Sequence, residues 1–200
     1  MRSVTCHISI SLDGFVAGPD QSREDPLGKD GERLHRWAFA EDRPDVDKRI
    51  RASIVEGNGA YIMGRNMFAS GRGDWDLDWR GWWGGDPPYH APVYVLTHYP
   101  RDPVEMEGGT TFHFVTDGIE SALEQARAVA GDLDVSIAGG ASTVNQYLRA
   151  GLLDELFLHV APILLGAGER LFEDVGDPVL EPVEAIHSPA VTHVRYRVVR

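Results

Sequence analysis

The chain has 200 residues, of which 42% are hydrophobic and 25% charged, which suits one globular domain with a sizeable core. Its formal net charge is −12, a balance that counts against nucleic acid or an anionic membrane as partner, although a few arginines and backbone N–H groups can still hold a small phosphate locally. A single cysteine, Cys6, rules out an internal disulfide and any multi-thiolate zinc site.

The first strand is expected over Val4–Ser11, where β-branched and polar residues alternate. Cys6 lies inside it and reads as a buried core thiol. Leu12-Asp13-Gly14 breaks the run, and Phe15 to Gly18 resumes it. Pro19 to Gly31 is polar and contains Gly and Pro, so it reads as a loop. Leu34, Trp37 and Ala38 predict a helix over Glu32–Glu41. A second helix is expected after Pro44, with Val46, Ile50, Ile54 and Val55 on one face and Gly57-Asn58-Gly59 ending it.

Ala60–Met63 is a short apolar strand that runs into Gly64-Arg65-Asn66. Gly71 to Pro92 has no periodicity and holds four of the five tryptophans, Trp75, Trp79, Trp82 and Trp83. A loop this long is either pinned to the surface by its own aromatics or serves as a lid or oligomer contact. Strands follow at Val93–Thr97 and Thr111–Val115. A helix is expected from Ile119, with Asp117 as N-cap and Glu120 reaching back. Asp134–Ala138 is the strand before Gly139-Gly140, and Val144, Tyr147 and Leu148 mark the next helix. Asp154–Leu165 reads as one long β-rich run. In Thr192–Val198 apolar residues alternate with polar ones, as in a half-buried antiparallel strand. The β/α alternation predicts an α/β fold with a mixed, mostly parallel sheet and antiparallel strands at the C-terminus. No internal repeat, low-complexity segment or linker divides the chain. With no charged-then-apolar leader and no apolar run of about 18 residues, a soluble cytoplasmic protein is expected.

Chemistry concentrates at strand ends. Gly139, Gly140, Ala141, Ser142 and Thr143 form a strand-to-helix turn. Such a turn presents unpaired N–H groups to a phosphate, or is simply a turn that needs glycine. Gly64-Arg65 is a second such turn, with a forked cation suited to phosphate or to a surface ion pair. Thr97-His98 ends a third strand with a hydroxyl and a titratable base. Ligands of open α/β sheets bind beyond the carboxyl ends of the strands, so three such ends suggest a dinucleotide. Asp13 is the carboxylate of interest, its alternative being a turn-forming Asp before Gly. The eight histidines are scattered, and no metal-ligand or nucleophile motif is present.

Taken in order, S-L-D-G-F-V-A-G, I-M-G-R-N-M, V-L-T-H, A-G-G-A-S-T-V-N-Q-Y-L and G-L-L-D-E-L-F-L-H-V-A-P-I-L-L-G-A-G-E-R-L-F resemble the dihydrofolate reductase-like superfamily. The closer branch is the C-terminal reductase domain of the bacterial bifunctional riboflavin-biosynthesis enzyme RibD and its stand-alone relatives. The resemblance runs from about Val4 to Phe172. It implies an NADPH-dependent reductase that transfers a hydride to a small heterocyclic or carbonyl substrate, similar to 5-amino-6-(5-phosphoribosylamino)uracil reductase. A non-catalytic nucleotide-binding or oligomerising module on the same fold is the competing reading. By position, Gly64 and Arg65 would meet the adenosine phosphates, with Arg65 favouring the 2′-phosphate, and Asn66 beside them is a further cofactor-binding candidate. Thr97 and His98 would lie by the adenosine ribose phosphate, Gly139 to Thr143 at the pyrophosphate, and Ala17 and Gly18 beside the nicotinamide. Asp13 would orient substrate or relay a proton. Met67 stands where the family usually has threonine, which removes one phosphate hydroxyl. Relatives of this kind are often dimeric, so a homodimer is expected.

Overall fold

The computed structural model describes residues 2–199. Eleven strands and five α-helices follow in chain order: β1 (Val4–Ser11), β2 (Phe15–Ala17), α1 (Arg36–Phe39), α2 (Asp45–Ser53), β3 (Asn58–Gly64), α3 (Arg65–Phe68), β4 (Pro92–Leu96), β5 (Val104–Glu105), β6 (Thr111–Val115), α4 (Ile119–Ala130), β7 (Asp134–Gly139), α5 (Ala141–Arg149), β8 (Glu155–Ala161), β9 (Glu169–Arg170), β10 (Val179–His187) and β11 (Thr192–Val199). Nine strands form one sheet in the order β10-β11-β8-β1-β7-β3-β4-β6-β5, and β2 pairs with β9 apart from it. The run from β8 to β6 is parallel throughout. β10, β11 and β5 are antiparallel to their neighbours. This is the mixed, mostly parallel sheet that the β/α alternation predicts, with antiparallel strands at the C-terminus.

Side chains alternate across each strand, so every central strand feeds two cores. On one face Val4, Cys6, Ile8, Ala60, Ile62 and Ile137 pack under α4 and α5, which contribute Leu123, Ala126, Val144, Tyr147 and Leu148. Burial pushes the Cys6 thiol up to about 12, which keeps it an inert apolar group there. On the other face no long helix among the described residues covers β3, β4 and β6. Tyr61, Met63, Phe68, Val93, Val95 and Phe112 are roofed instead by Trp75, Trp79 and Trp83 of the 71–92 segment. The glycine- and tryptophan-rich segment is therefore a packing layer in its own right. Its backbone is pinned by Trp79 Nε1–H donating to the Phe68 carbonyl at 2.7 Å and by Arg101 donating to the Leu77 and Trp79 carbonyls.

Four local expectations are corrected. Glu32–Glu41 is not one helix but a 3-10 turn over Gly31–His35 followed by the single turn of α1. Its two most buried side chains, Leu34 and Trp37, are three residues apart, a spacing that suits the tighter turn. α2 does begin after Pro44, but it ends at Ser53, with Asn58 and Gly59 already in β3; Val46, Ile50 and Ile54 are only half-buried and its one buried residue is Asp47. Asp117 does not cap α4. Gly118 occupies that position at φ 96 with no side-chain cap, and Asp117 accepts a bond from the Thr116 hydroxyl. The 154–165 run leaves the sheet at Ala161, because Pro162 has no N–H to give to a ladder. Among the described residues no helix is long and apolar enough to cross a membrane.

The buried Asp47 ends a polar chain under α1 and α2. His193 Nε2–H donates to Asp47 Oδ1 at 3.2 Å, and the Ser188 hydroxyl donates to Oδ2 at 2.9 Å. His193 Nδ1 lies 2.8 Å from His159 Nδ1, and His159 Nε2 lies 3.3 Å from His7 Nδ1. Each pair is satisfied with all three imidazoles neutral, one nitrogen donating and the next accepting. Trp37 closes the cluster, its ring against both His159 and His193 and its N–H donating to the Ser9 hydroxyl.

Candidate active site

The six parallel strands end on one edge of the sheet, so the turns after β1, β3, β4 and β7 converge there. β7 lies between β1 and β3. Its final residues form a cis Gly139–Gly140 peptide, with Gly139 at φ 127, a conformation that favours glycine. Gly140 then caps α5 without any side-chain bond. The Gly140 carbonyl accepts from the Thr143 and Val144 N–H groups, which leaves the Ala141 and Ser142 N–H groups at the open first turn. Ala141 and Thr143 are buried and Ser142 is exposed.

The β3 turn presses against this one. A Cβ on Gly64 would lie 2.5 Å from Thr143 Oγ1 and 3.8 Å from the Gly140 nitrogen, so a side chain there would have to displace the Thr143 hydroxyl. Met67 takes up the space beside Gly139, 3.5 Å from where a Cβ there would sit. Met67 thus adds apolar packing at this turn. Gly140 differs from the others: a Cβ built on it meets nothing within 4 Å, and its φ of −77 suits any residue. Neither packing nor φ demands glycine at this position.

Arg65 follows Gly64 and is half-buried. Its Cζ lies 3.9 Å from the Trp75 ring centroid and 5.0 Å from that of Tyr99, and this burial lowers the pKa of the guanidinium. Nε and Nη1 have no hydrogen-bond partner among the described residues. Asn66 is exposed on the next position. At the end of β4, Thr97 is buried and its hydroxyl accepts from the Tyr99 N–H at 3.1 Å, so it shapes the turn that carries Tyr99 to Arg65. His98 is exposed.

On the β1 side, Ala17 is buried in the β2–β9 pair, and Gly18 borders an open cleft of about 330 Å³ with Pro19, Asp20, Gln21, Asn66, Gly168 and Glu169. The structure therefore brings Gly18 and Asn66 to one cleft, and Gly64 to Gly139, Gly140 and Thr143. Asp13 stands apart in its bonding. One or both carboxylate oxygens accept from the Ser11 hydroxyl at 2.5 Å, the Leu165 N–H at 3.1 Å and the Gly166 N–H at 2.7 Å. Partial loss of water raises its pKa, but the Ser11 hydroxyl and the two N–H groups outweigh that and bring the carboxyl down to about 2. Held this way, Asp13 ties the 162–168 loop to the β1–β2 turn, which sets Gly168 and Glu169 at the cleft. The residues that sequence reasoning did not single out are Tyr99, Gly168 and Glu169, and it named Trp75 only as part of the tryptophan-rich loop. Only Gly168 carried a local signal, as the second glycine of G-A-G.

A model of the RibD C-terminal domain matches residues 2–194. The chain belongs to the RibD C-terminal domain family. Among curated relatives of this RibD C-terminal domain, the uncharacterized protein YyaP of Bacillus subtilis is 26% identical over 184 residues, covering 87% of this chain and 82% of that one. Among solved structures, a putative riboflavin biosynthesis protein from a Shewanella species superposes with a TM-score of 0.69 at 21% identity, covering 99% of both chains. A dihydrofolate reductase from Enterococcus faecalis, complexed with NADP(H) and RAB-propyl, superposes with a TM-score of 0.58 at 15% identity, covering 98% of this chain and 96% of that one. The domain therefore has the dihydrofolate reductase-like fold.

Proposed function

We propose that this RibD C-terminal domain is an NADPH-dependent reductase of a small heterocyclic or carbonyl substrate. The observation that carries the reading is Gly140. It is a glycine that neither packing nor φ requires, at the open N-terminus of a nine-residue helix, in the middle of a parallel sheet's carboxyl edge. A dinucleotide pyrophosphate explains it, because any side chain there would fill the space the phosphate oxygens need. The solved reductase complexed with NADP(H) on the same fold supports this. When bound, the nicotinamide would supply the hydride.

The chain's own residues then divide the remaining work. Gly139, Gly140 and the Ala141 and Ser142 N–H groups receive the pyrophosphate, with Thr143 and Gly64 packed behind them. Arg65, Thr97 and His98 border the adenosine side, and Asn66 faces the cleft that Gly18 borders. Gly18 lines the cleft beside the nicotinamide, where the substrate sits, with Ala17 buried next to it in the β2–β9 pair. Asp13 is a positioning residue in this proposal, since it acts through the loop that carries Gly168 and Glu169 to the cleft.

Gly140→Ala is expected to leave the melting temperature within about 2 °C, as for a substitution into open space. It is expected to weaken NADPH binding at least roughly tenfold, read by quenching of tryptophan fluorescence. Unchanged binding would remove the pyrophosphate from this turn. Tight NADPH binding with no turnover across a panel of heterocycles and carbonyl compounds would favour the non-catalytic module instead. The assembly proposed is a homodimer, favoured by an edge strand, β10, that is exposed along most of its length with Val179 and Val183 on show. Sedimentation at micromolar concentration checks it, and a monomer there removes it.

A further inference from the structure

Under α1 and α2 four side chains stand in one row: Asp47, His193, His159 and His7, with successive members 3.2, 2.8 and 3.3 Å apart. None of the four borders the cleft. The row has one outer end, since His7 is half-buried while His159, His193 and Asp47 are buried. Asp47 is fully hidden from water, and among the described residues its one ion-pair partner is His193. With the imidazoles neutral, its carboxylate is held only by the Ser188 hydroxyl and the His193 Nε2–H. A buried carboxylate without a cation is costly, so the row lacks one positive charge.

The carboxylate fixes the direction of every bond. It can only accept, so His193 carries its proton on Nε2 and offers a bare Nδ1. His159 then donates from Nδ1, which leaves its Nε2 to accept from His7 Nδ1–H. His7 Nε2 is the bare end. Three neutral rings thus hold three protons, and a further one has a single place to enter, His7 Nε2. On its entry the His7 Nδ1 proton passes to His159 Nε2, and the His159 Nδ1 proton passes to His193 Nδ1. His193 becomes a cation 3.2 Å from Asp47. His159 and His7 stay neutral as Nε2–H tautomers, and no contact of the row is lost. The groups packed around the row favour the same end for the charge. His35 lies near His159, and burial followed by Arg51 of α2 lowers the pKa of its imidazole. His7 stacks on Phe157 at 4.0 Å, with Arg195 5.9 Å from that ring and 3.9 Å from Glu155. Asp47 is therefore the carboxylate in direct contact with the row.

We propose that Asp47, His193, His159 and His7 form a single proton-binding site, which loads at His7 and holds the charge at His193 against Asp47. Loading turns His7 Nε2 from an acceptor into a donor, so the outer end of the row reverses its hydrogen-bonding sense while the charge rests two rings away. The site is a pH-sensitive switch built on proton position, and it does not depend on the cofactor reading. Burial keeps it empty at neutral pH, since the His193 imidazole lies below its ordinary value although Asp47 pulls it up. A second proton is resisted, because burial and the charge on His193 push His7 down to about 4.

The test uses the isotope-labelled whole chain and proton–nitrogen correlation spectra of the imidazole rings, recorded from about pH 7.5 to about pH 4.5, a window that brackets the ordinary histidine value. At the upper end His193 is expected as the Nε2–H tautomer, and His159 and His7 as Nδ1–H tautomers. On acidification His193 is expected to become doubly protonated while His159 and His7 change to Nε2–H, all three with one midpoint. Double protonation of His7 first, with the other two rings unchanged, would overturn the proposal, and so would three separate midpoints. Asp47→Asn keeps the shape of the side chain and removes its charge. It is expected to lower the midpoint by roughly one to three pH units. An unchanged midpoint in that variant would show that the charge is not held against Asp47 and would also overturn the proposal. Should Asp47→Asn fail to fold, the tautomers of the wild type decide the matter alone.

Discussion

Gly168→Ala is expected to cost about 3–5 kcal/mol of stability, among the largest effects of any single methyl group in this chain. Two causes add. Gly168 sits at φ 133, where a side chain is strained. A Cβ there would also fall inside the van der Waals radius of the Ala17 carbonyl oxygen and against the Gly18 backbone. Neither neighbour can yield easily, since Ala17 is paired to Glu169 and the Gly18 N–H donates to the Leu27 carbonyl. For a domain of this size the loss corresponds to a drop of roughly 10 °C in melting temperature. Gly176→Ala is the control. It has a positive φ of 75 but nothing within 4 Å of an added Cβ, so only the strain remains, about 1 kcal/mol. Equal melting temperatures for the two variants would show that the β2–β9 loops do not hold the close approach described. The same clash lies at the cleft, so any Gly168→Ala protein that folds is expected to bind substrate poorly.

Acidification from pH 7 to 4 is expected to remove about 3 kcal/mol through His7 alone. Burial, with a contribution from His193, pushes the His7 imidazole down from 6.5 to about 4. In the unfolded chain that imidazole takes its proton near pH 6.5. Between those values the unfolded state binds more protons than the folded one, so stability falls as the pH falls. Below about pH 4 both states are protonated and the loss is complete. His159 is lowered as well, by burial first and then by its neighbours His7, His193 and His35. His193 is lowered by burial, against the pull of Asp47. All three therefore act in the same direction. Urea unfolding at half-unit steps of pH would measure the slope. His7→Gln is expected to flatten it between pH 6.5 and 4, and a wild-type stability that stays level across that window would sink the account. The Asp13 carboxylate enters only lower down. Its depressed value keeps its contribution present above about pH 4 and removes it as the pH approaches 2.

Most of the elements were legible because the signals that mark them are local. β1, β3, β4, β6, β7 and β11 show as short apolar or alternating runs, and α4 and α5 as residues three and four apart. The misreadings were local too. Asp117 looked like a cap, but Gly118, with its positive φ, took that position. The 154–165 run looked continuous, but Pro162 ended the ladder. In α2 the apolar stripe pointed to Val46 and Ile50, while the residue that reaches the interior is Asp47. Hydrophobic periodicity cannot foresee a buried carboxylate, because its partners, Ser188 and His193, lie 141 and 146 residues away.

The sequence by itself determined that strands end in glycine and hydroxyl turns, that the sheet is mostly parallel, and that the motifs occur in the order of this family. Those properties live within a few residues of each other or in their order along the chain. Tertiary structure alone decided that β7 inserts between β1 and β3, and hence that Gly140 lies open while Gly64 is pinned against Thr143. It also decided that Trp75 lies on Arg65, that three scattered histidines form one buried chain, and that Asp13 spends its lone pairs on a loop 152 residues away. Each of these is a contact between distant segments, fixed by strand order and close packing. No window of sequence contains both partners.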